Sequence, residues 1–275
     1  MTFLEKLIHA QQKNRSFLCV GLDIVAANTP LPLQYNDEPM LPFARAIIEA
    51  TQDLVCAYKP NLGFYLAEGA AGIVALERIV RAIPDDIPII LDGKFGDIGN
   101  TAQAYARGAF EQFRADAVTL SPYIGSDSVK PFLADRNHGA FVLARTSNVN
   151  AGEFQNLSSN GHALYENVAL QANQWQREGP GTCGLVVGAT APTELQRIRE
   201  ISPDLAFLIP GVGAQGGDLE ASMRYGTSHS GVGPVINASR AVLYASRTVN
   251  FADDARNAAL KIVEQMRSIQ NHLSA

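Results

Sequence analysis

Eight short apolar runs, many of them separated by amphipathic stretches, limit the fold more than any other feature of the sequence. They lie at 17–22, 54–58, 87–91, 117–120, 140–144, 184–187, 206–209 and 234–237. Most are nearly continuous in apolar side chains, the pattern of parallel strands buried on both faces. Between them, 66–81 carries Leu66, Ala70, Ile73, Val74, Leu76, Ile79 and Val80 at helical spacing. The stretch 193–201, opened by Pro192 and Thr193, carries Leu195, Ile198 and Ile201 in the same way. Eight alternations in about 240 residues match an α/β fold of the (β/α)8 TIM-barrel type at its typical size. A doubly wound open sheet is the rival arrangement. No linker, low-complexity segment or domain-sized shift in composition interrupts 1–275, so a single barrel domain is expected.

With 47% hydrophobic and 18% charged residues the chain can bury a substantial core. A formal net charge of −5 and the lack of any Lys/Arg-rich run argue against a nucleic-acid groove. An anionic substrate therefore needs a local cationic pocket. Cys19, Cys56 and Cys183 each sit inside an apolar run and form no Cys-x-x-Cys pair, which predicts buried free thiols in a reducing compartment. The first fifteen residues place Glu5, Lys6 and Lys13 among Phe3, Leu4, Leu7 and Ile8, an amphipathic helix rather than a signal peptide. No stretch is long enough to span a bilayer. A soluble, cytoplasmic protein is the expectation.

The chemistry is concentrated where the apolar runs stop. Asp23 ends the first run, Lys59 the second, and Asp92 and Lys94 the third, with Asp97 one short turn later. Ser147 follows the fifth run, Gln215 the seventh and Arg240 the eighth. In a parallel barrel these ends converge on one rim, the face that carries active sites. Asp92 and Lys94, two apart at a strand end, point the same way if the strand's alternation continues. An ammonium flanked by two carboxylates favours its charged form, which suits a proton donor better than a base or nucleophile.

Each element also has a plainer explanation. Asp23 can cap a helix, Lys59 can extend from apolar surface to water, the 92/94/97 triplet can be a structural ion network, and Arg240 can be a surface guanidinium. Their joint placement at successive strand ends weighs against all of these together.

Two long segments border the same rim: 145–160, rich in Asn, Ser and Thr, and 211–233, with seven glycines. Loops after the last two barrel strands commonly hold a phosphate through backbone N–H groups. Gly213, Gln215, Gly216 and Gly217 lie on one side of such a site and Arg240, able to clamp two phosphate oxygens, on the other. His9, His138, His162, His229 and His272 do not fall together at strand ends, so a histidine triad or a metal site has little support. Ser121 and Ser147 lack an evident base, and Trp175 reads as a packing residue of a helix.

Asp92-Gly93-Lys94-Phe95-Gly96-Asp97-Ile98 resembles the Asp-x-Lys-x-x-Asp-Ile signature of orotidine 5′-phosphate decarboxylases, and 210–218 resembles that family's phosphate-gripping loop. With Lys59-Pro60-Asn61 the resemblance runs from Asp23 to Arg240, and Asn237-Ala238-Ser239-Arg240 is similar to the longer bacterial branch. The resemblance implies a barrel enzyme with no metal or organic cofactor. Lys94 is then the proton donor to C6 of the pyrimidine, and Asp92 faces the leaving carboxylate. Lys59 bridges the ribose and Asp92, and Asp23 contacts a ribose hydroxyl. Ser147 meets the pyrimidine amide edge, while Gln215 and Arg240 hold the phosphate. Asp97 and Thr101 reach into a partner's site across a homodimer interface. Two alternatives stand beside this one: a magnesium-dependent barrel enzyme acting on a phosphosugar, which needs a further acidic metal ligand, and a non-catalytic nucleotide-binding barrel. The segment 28–39 has no role that the sequence reveals.

Overall fold

The computed structural model describes residues 1–212 and 216–274. The described residues form ten strands: β1 Leu18–Gly21, β2 Ala57–Lys59, β3 Ile90–Phe95, β4 Ala117–Leu120, β5 Gly139–Arg145, β6 Ser158–Ser159, β7 His162–Ala163, β8 Thr182–Val187, β9 Ala206–Pro210 and β10 Val235–Ala238. Eight of these make one parallel sheet in the order β2-β1-β10-β9-β8-β5-β4-β3. All eight expected runs contribute a strand to it.

The two ends of that sheet meet. Single parallel bridges join Tyr58 to Ile89 and Asn61 to Asp92. The Tyr58 N–H donates to the Pro88 carbonyl, and the Asp92 N–H to the Pro60 carbonyl, both at 2.9 Å. The sheet is therefore a closed barrel and not the open alternative, and the seam between β2 and β3 falls at the Lys59 and Asp92 strand ends.

Two apolar layers result. Helices pack on the outside of the strands around Phe43, Ile47, Leu76, Ile79, Leu195 and Ile198. A smaller inner cluster fills the barrel with Cys19, Cys56, Ala57, Ile90, Ala117, Phe141, Val186, Ala206, Leu208 and Val235. The helix Phe3–Asn14 contributes Phe3 and Leu7 to this inner cluster and so plugs the N-terminal end of the barrel. Its start is fixed by a capping box: the Glu5 N–H donates to Thr2 Oγ1 and the Thr2 N–H to Glu5 Oε2. Phe3 meets Phe141 edge to face at 5.8 Å, and a Cβ at Gly139 would come within 2.4 Å of the Phe3 ring. Glycine at 139 is the space that the plug occupies.

The three cysteines are buried and unpaired, and burial pushes the Cys19 and Cys183 thiols up to about 12.

Three expected segments differ in detail. The helical stretch 66–81 is the helix Gly69–Val80, while Leu66 ends a separate short helix, Leu62–Leu66; the second starts where Gly69 takes φ +65°. The segment 145–160 is not a plain loop. It holds the helical turns Val149–Ala151 and Gly152–Gln155 and enters the β6–β7 hairpin. The segment 211–233 contains the helix Leu219–Gly226, started by Asp218, whose carboxylate accepts the Ala221 N–H at 2.9 Å. Its glycines had masked the Leu219, Met223 and Gly226 spacing.

Replacing Phe3 with Ala is expected to cost about 3 kcal/mol through the cavity left in the plug. Thermal unfolding should show a lower Tm, while the strand-end charges stay in place because the plug lies at the opposite end of the barrel.

Candidate active site

The C-terminal ends of the barrel strands open into a cavity of about 660 Å3. Asp23, Lys59, Asn61, Asp92, Lys94, Thr119, Ser147, Asn237 and Arg240 all line it. At its floor, four charges, from β2, β3 and the segment just after β1, alternate in sign. Lys59 Nζ lies 4.0 Å from Asp23 Oδ1 and 2.8 Å from Asp92 Oδ2, and Lys94 Nζ lies 2.6 Å from Asp92 Oδ1.

Asp92 is the centre of this array. Oδ2 accepts from Lys59 and, at 3.3 Å, from Asn61 Nδ2; Oδ1 accepts from Lys94 and, at 2.8 Å, from the Thr119 hydroxyl. Four donors saturate the lone pairs of one carboxylate. Burial by itself would raise the Asp92 carboxyl, but the Lys59 and Lys94 ammoniums outweigh it and hold the group well below the usual carboxylate range. Burial likewise opposes the charge on Lys59, and the Asp92 and Asp23 carboxylates reverse that effect and raise it above the ordinary lysine value.

Lys94 reaches the array from an unusual backbone. Leu91 pairs with Val118 and Phe95 with Leu120, so Asp92, Gly93 and Lys94 stand opposite Thr119 alone. This is a β-bulge, with Lys94 at φ +45°. Simple alternation along the strand therefore does not explain why Asp92 and Lys94 meet; the bulge does. A Cβ on Gly93 would lie 2.3 Å from the Phe95 ring, so the turn needs glycine there.

The match to known proteins covers nearly all of this framework. The family model described as "Orotidine 5'-phosphate decarboxylase / HUMPS family" matches residues 16–255. A Ralstonia pickettii protein named orotidine 5′-phosphate decarboxylase is 46% identical over 98% of this chain and 100% of its own. One of the same name from Roseiflexus castenholzii is 50% identical over 95% of this chain and 96% of its own. The structure of Leishmania donovani OMP decarboxylase superposes with a TM-score of 0.84 at 40% identity, over 98% of this chain and 99% of that one. This chain belongs to the orotidine 5′-phosphate decarboxylase family.

Of the residues that the family resemblance marks, Asp23, Lys59, Asp92, Lys94, Ser147 and Arg240 share the cavity. Arg240 begins the short helix Arg240–Leu243 and forms no ion pair among the described residues. Gln215, like Gly213, lies outside the described residues. The ends of that loop are drawn together, with the Gly217 N–H donating to the Gly211 carbonyl at 3.1 Å.

Asp97 and Thr101 are not in the cavity of their own chain. Asp97 Oδ1 accepts the Ile98 N–H, and Thr101 is exposed on the helix Gly99–Arg107. Lys94 is thus not held between two carboxylates within one chain: among the described residues Asp92 is its sole ionic partner. The residues between Lys94 and Asp97 carry the chain out of the barrel, which separates the two side chains.

Sequence reading gave no role to Asn61, Thr119, Asn237 or Tyr244. Thr119 and Asn237 are the polar residues of otherwise apolar strands, and that interruption is the signal that marks them. The Tyr244 hydroxyl accepts the Val25 N–H at 2.9 Å and donates to the Asp23 carbonyl at 3.3 Å. It ties the loop after β1 to the helix that Arg240 begins. Among the described residues no group of three or more His, Cys, Asp or Glu is placed to hold a metal, and no helix is long and apolar enough to cross a membrane.

Because the Asp92 carboxyl is depressed in the fold, its pairing contributes fully above the unfolded value of about 4 and is lost as pH falls through the folded one. Lys59 runs the other way, contributing fully below about 10.4 and losing its share as pH rises through its raised value. Asp92→Asn should destabilise the protein by about 3 kcal/mol at neutral pH, because Lys59 keeps its charge and loses its main partner. Urea unfolding across pH should show that deficit constant near neutrality and shrinking below about pH 4. A deficit that ignores acid pH would count against the assignment.

Proposed function

We propose that the chain works as its family does: it is an orotidine 5′-phosphate decarboxylase, a carboxy-lyase that converts orotidine 5′-phosphate to uridine 5′-phosphate and CO2 in pyrimidine biosynthesis. The observation that carries this reading is the Lys59–Asp92–Lys94 array on the floor of a cavity that Arg240 borders. Because both line one cavity, a nucleotide can place its base at the charges and its phosphate at the guanidinium.

The bond from C6 to its carboxylate carbon breaks with both electrons staying on C6, and CO2 leaves. No carbonyl of the ring is placed to delocalise that pair, so stabilisation has to come from the surroundings. A fixed Lys94 ammonium next to C6 lowers the energy of the carbanion more than that of the bound substrate, which is what accelerates the step. Lys94 Nζ then gives its proton to C6 and recovers one from water. Lys59 and Asp23 hold the ribose, Ser147 the amide edge of the pyrimidine, and Arg240 with Gln215 the phosphate. Phosphate contacts organise the charged floor through binding energy remote from the reacting carbon. No step calls on a metal or an organic cofactor.

The active unit is a homodimer in which Asp97 and Thr101 complete the partner's cavity. Both sit outside their own cavity, and Ile98 and Tyr105 of the same segment and Tyr123 and Ile124 after β4 are exposed. The helix Gly99–Arg107 packs against Ser126–Val129, close in sequence to Tyr123 and Ile124, and exposed apolar side chains of this kind support a protein interface. A cytoplasmic setting fits the three reduced, buried cysteines.

Purified protein should release CO2 from orotidine 5′-phosphate, with or without a chelator. Lys94→Ala should lose at least about 1000-fold in kcat while still binding uridine 5′-phosphate, as removal of a transition-state contact does. Near-normal kcat in that variant would remove Lys94 from the chemistry. Arg240→Ala should weaken binding of the phosphorylated substrate and leave a nucleoside lacking phosphate unaffected; equal losses for both would remove the phosphate assignment. Mixing inactive Lys94→Ala and Asp97→Ala chains should restore activity through dimers with one intact site, and no recovery would argue against shared sites.

A further inference from the structure

Thr119 occupies a position that the family signature does not include. It is 2% exposed, lies in β4 next to the bulge and lines the cavity. Its hydroxyl makes two hydrogen bonds of opposite sense. Oγ1 accepts the Lys94 backbone N–H at 3.0 Å and donates to Asp92 Oδ1 at 2.8 Å. That carboxylate oxygen is the one that takes Lys94 Nζ at 2.6 Å.

These contacts close a ring. It runs from the Thr119 hydroxyl to Asp92, on to the Lys94 ammonium, back along the lysine side chain to its own N–H, and from there to the hydroxyl again. A bulge leaves its extra residues without ladder partners, and three residues here face one. The Lys94 N–H belongs to that excess and has no strand carbonyl to meet, so the side chain of the opposing residue takes it. With φ at +45°, Lys94 is in a region that a non-glycine residue holds only when its surroundings impose it.

We infer that Thr119 is a positioning residue of the decarboxylation, its hydroxyl fixing both ends of the Lys94 side chain by holding the bulge N–H and the ammonium's carboxylate partner together. The inference rests on the proposed role of Lys94 as the proton donor. Serine has the same donor and acceptors; valine has the shape of threonine and neither bond. Only the hydroxyl distinguishes a positioning role from packing.

The experiment compares Thr119→Val and Thr119→Ser with wild type for CO2 release from orotidine 5′-phosphate and for affinity toward uridine 5′-phosphate. Loss of precise alignment is expected to lower kcat of Thr119→Val by about tenfold or more, with KM and product affinity little changed and Thr119→Ser close to wild type. A Thr119→Val enzyme with unchanged kcat overturns the inference. So does a loss shared equally by kcat and product affinity, or a Thr119→Ser variant as impaired as Thr119→Val. If Thr119→Val does not fold, Thr119→Ala, which removes the hydroxyl without crowding the strand, is read by the same criteria. Absence of CO2 release by the wild-type protein would instead defeat the proposed function, so the two failures are distinguishable.

Discussion

A single carboxylate, Asp92, holds two lysines at the C-terminal end of the barrel. Removing a carboxylate from water costs several kcal/mol unless charges and hydrogen bonds replace the lost hydration, and Asp92 replaces it with four donors. The donors come from three separate pieces of the chain: Lys59 at the end of β2 with Asn61 just beyond it, Thr119 from β4, and Lys94 from the bulge of β3 itself. The ionic centre therefore exists only when three neighbouring strands are in register. Local charge and global fold are one constraint here.

Barrel closure supplies that register. Lys59 and Asp92 belong to β2 and β3, the two edges of the sheet when its strands are written in order, and they meet because the edges join through the Asn61–Asp92 bridge. In an open sheet of the same strands the buried pair would be apart and each charge would need another partner. The plug formed by Phe3 and Leu7 works at the opposite end, filling the barrel below the layer of charges. Apolar packing fills one end of the barrel, and a saturated ion array lines the cavity at the other.

Much of this is written in local sequence pattern. Continuous apolar runs give the strands because parallel strands must be apolar on both faces, and the charged residues after them stand out against that background. What local pattern cannot convey is geometry that depends on two segments at once. The bulge at Asp92-Gly93-Lys94 follows from pairing with β4, so alternation within β3 alone gives an incomplete account of why Asp92 and Lys94 meet. Thr119 interrupts an apolar strand, but a threonine in a strand usually needs no explanation, and its part in the array shows only when β4 is paired with the bulge. The helix Leu219–Gly226 was hidden for a different reason, since glycines on either side of it carry the usual signal of a loop. The outward course of Asp97 has the same origin as the bulge: three residues of spacing fix a distance along the chain, not the direction in which the chain leaves the barrel.

The two lysines that share Asp92 differ in one respect that bears on their roles. The Lys59 side chain is 5% exposed and bonded within a closed pair, whereas that of Lys94 is 49% exposed in the single chain. A group that must approach a substrate atom and later exchange a proton with water needs an open side. A group that orients its neighbour gains from having none. The bulge creates this difference, because it lifts Lys94 out of the barrel wall while leaving Asp92 in it. Exposure also weakens a charge, since water screens it, so in the proposed mechanism the open side of Lys94 has to be covered when the nucleotide is bound for the ammonium to act at full strength on C6. In that mechanism the substrate would cover part of it. In the proposed dimer the acidic and hydroxyl groups of Asp97 and Thr101 from the second chain would face the rest, supplying the second carboxylate that the lysine lacks in its own chain.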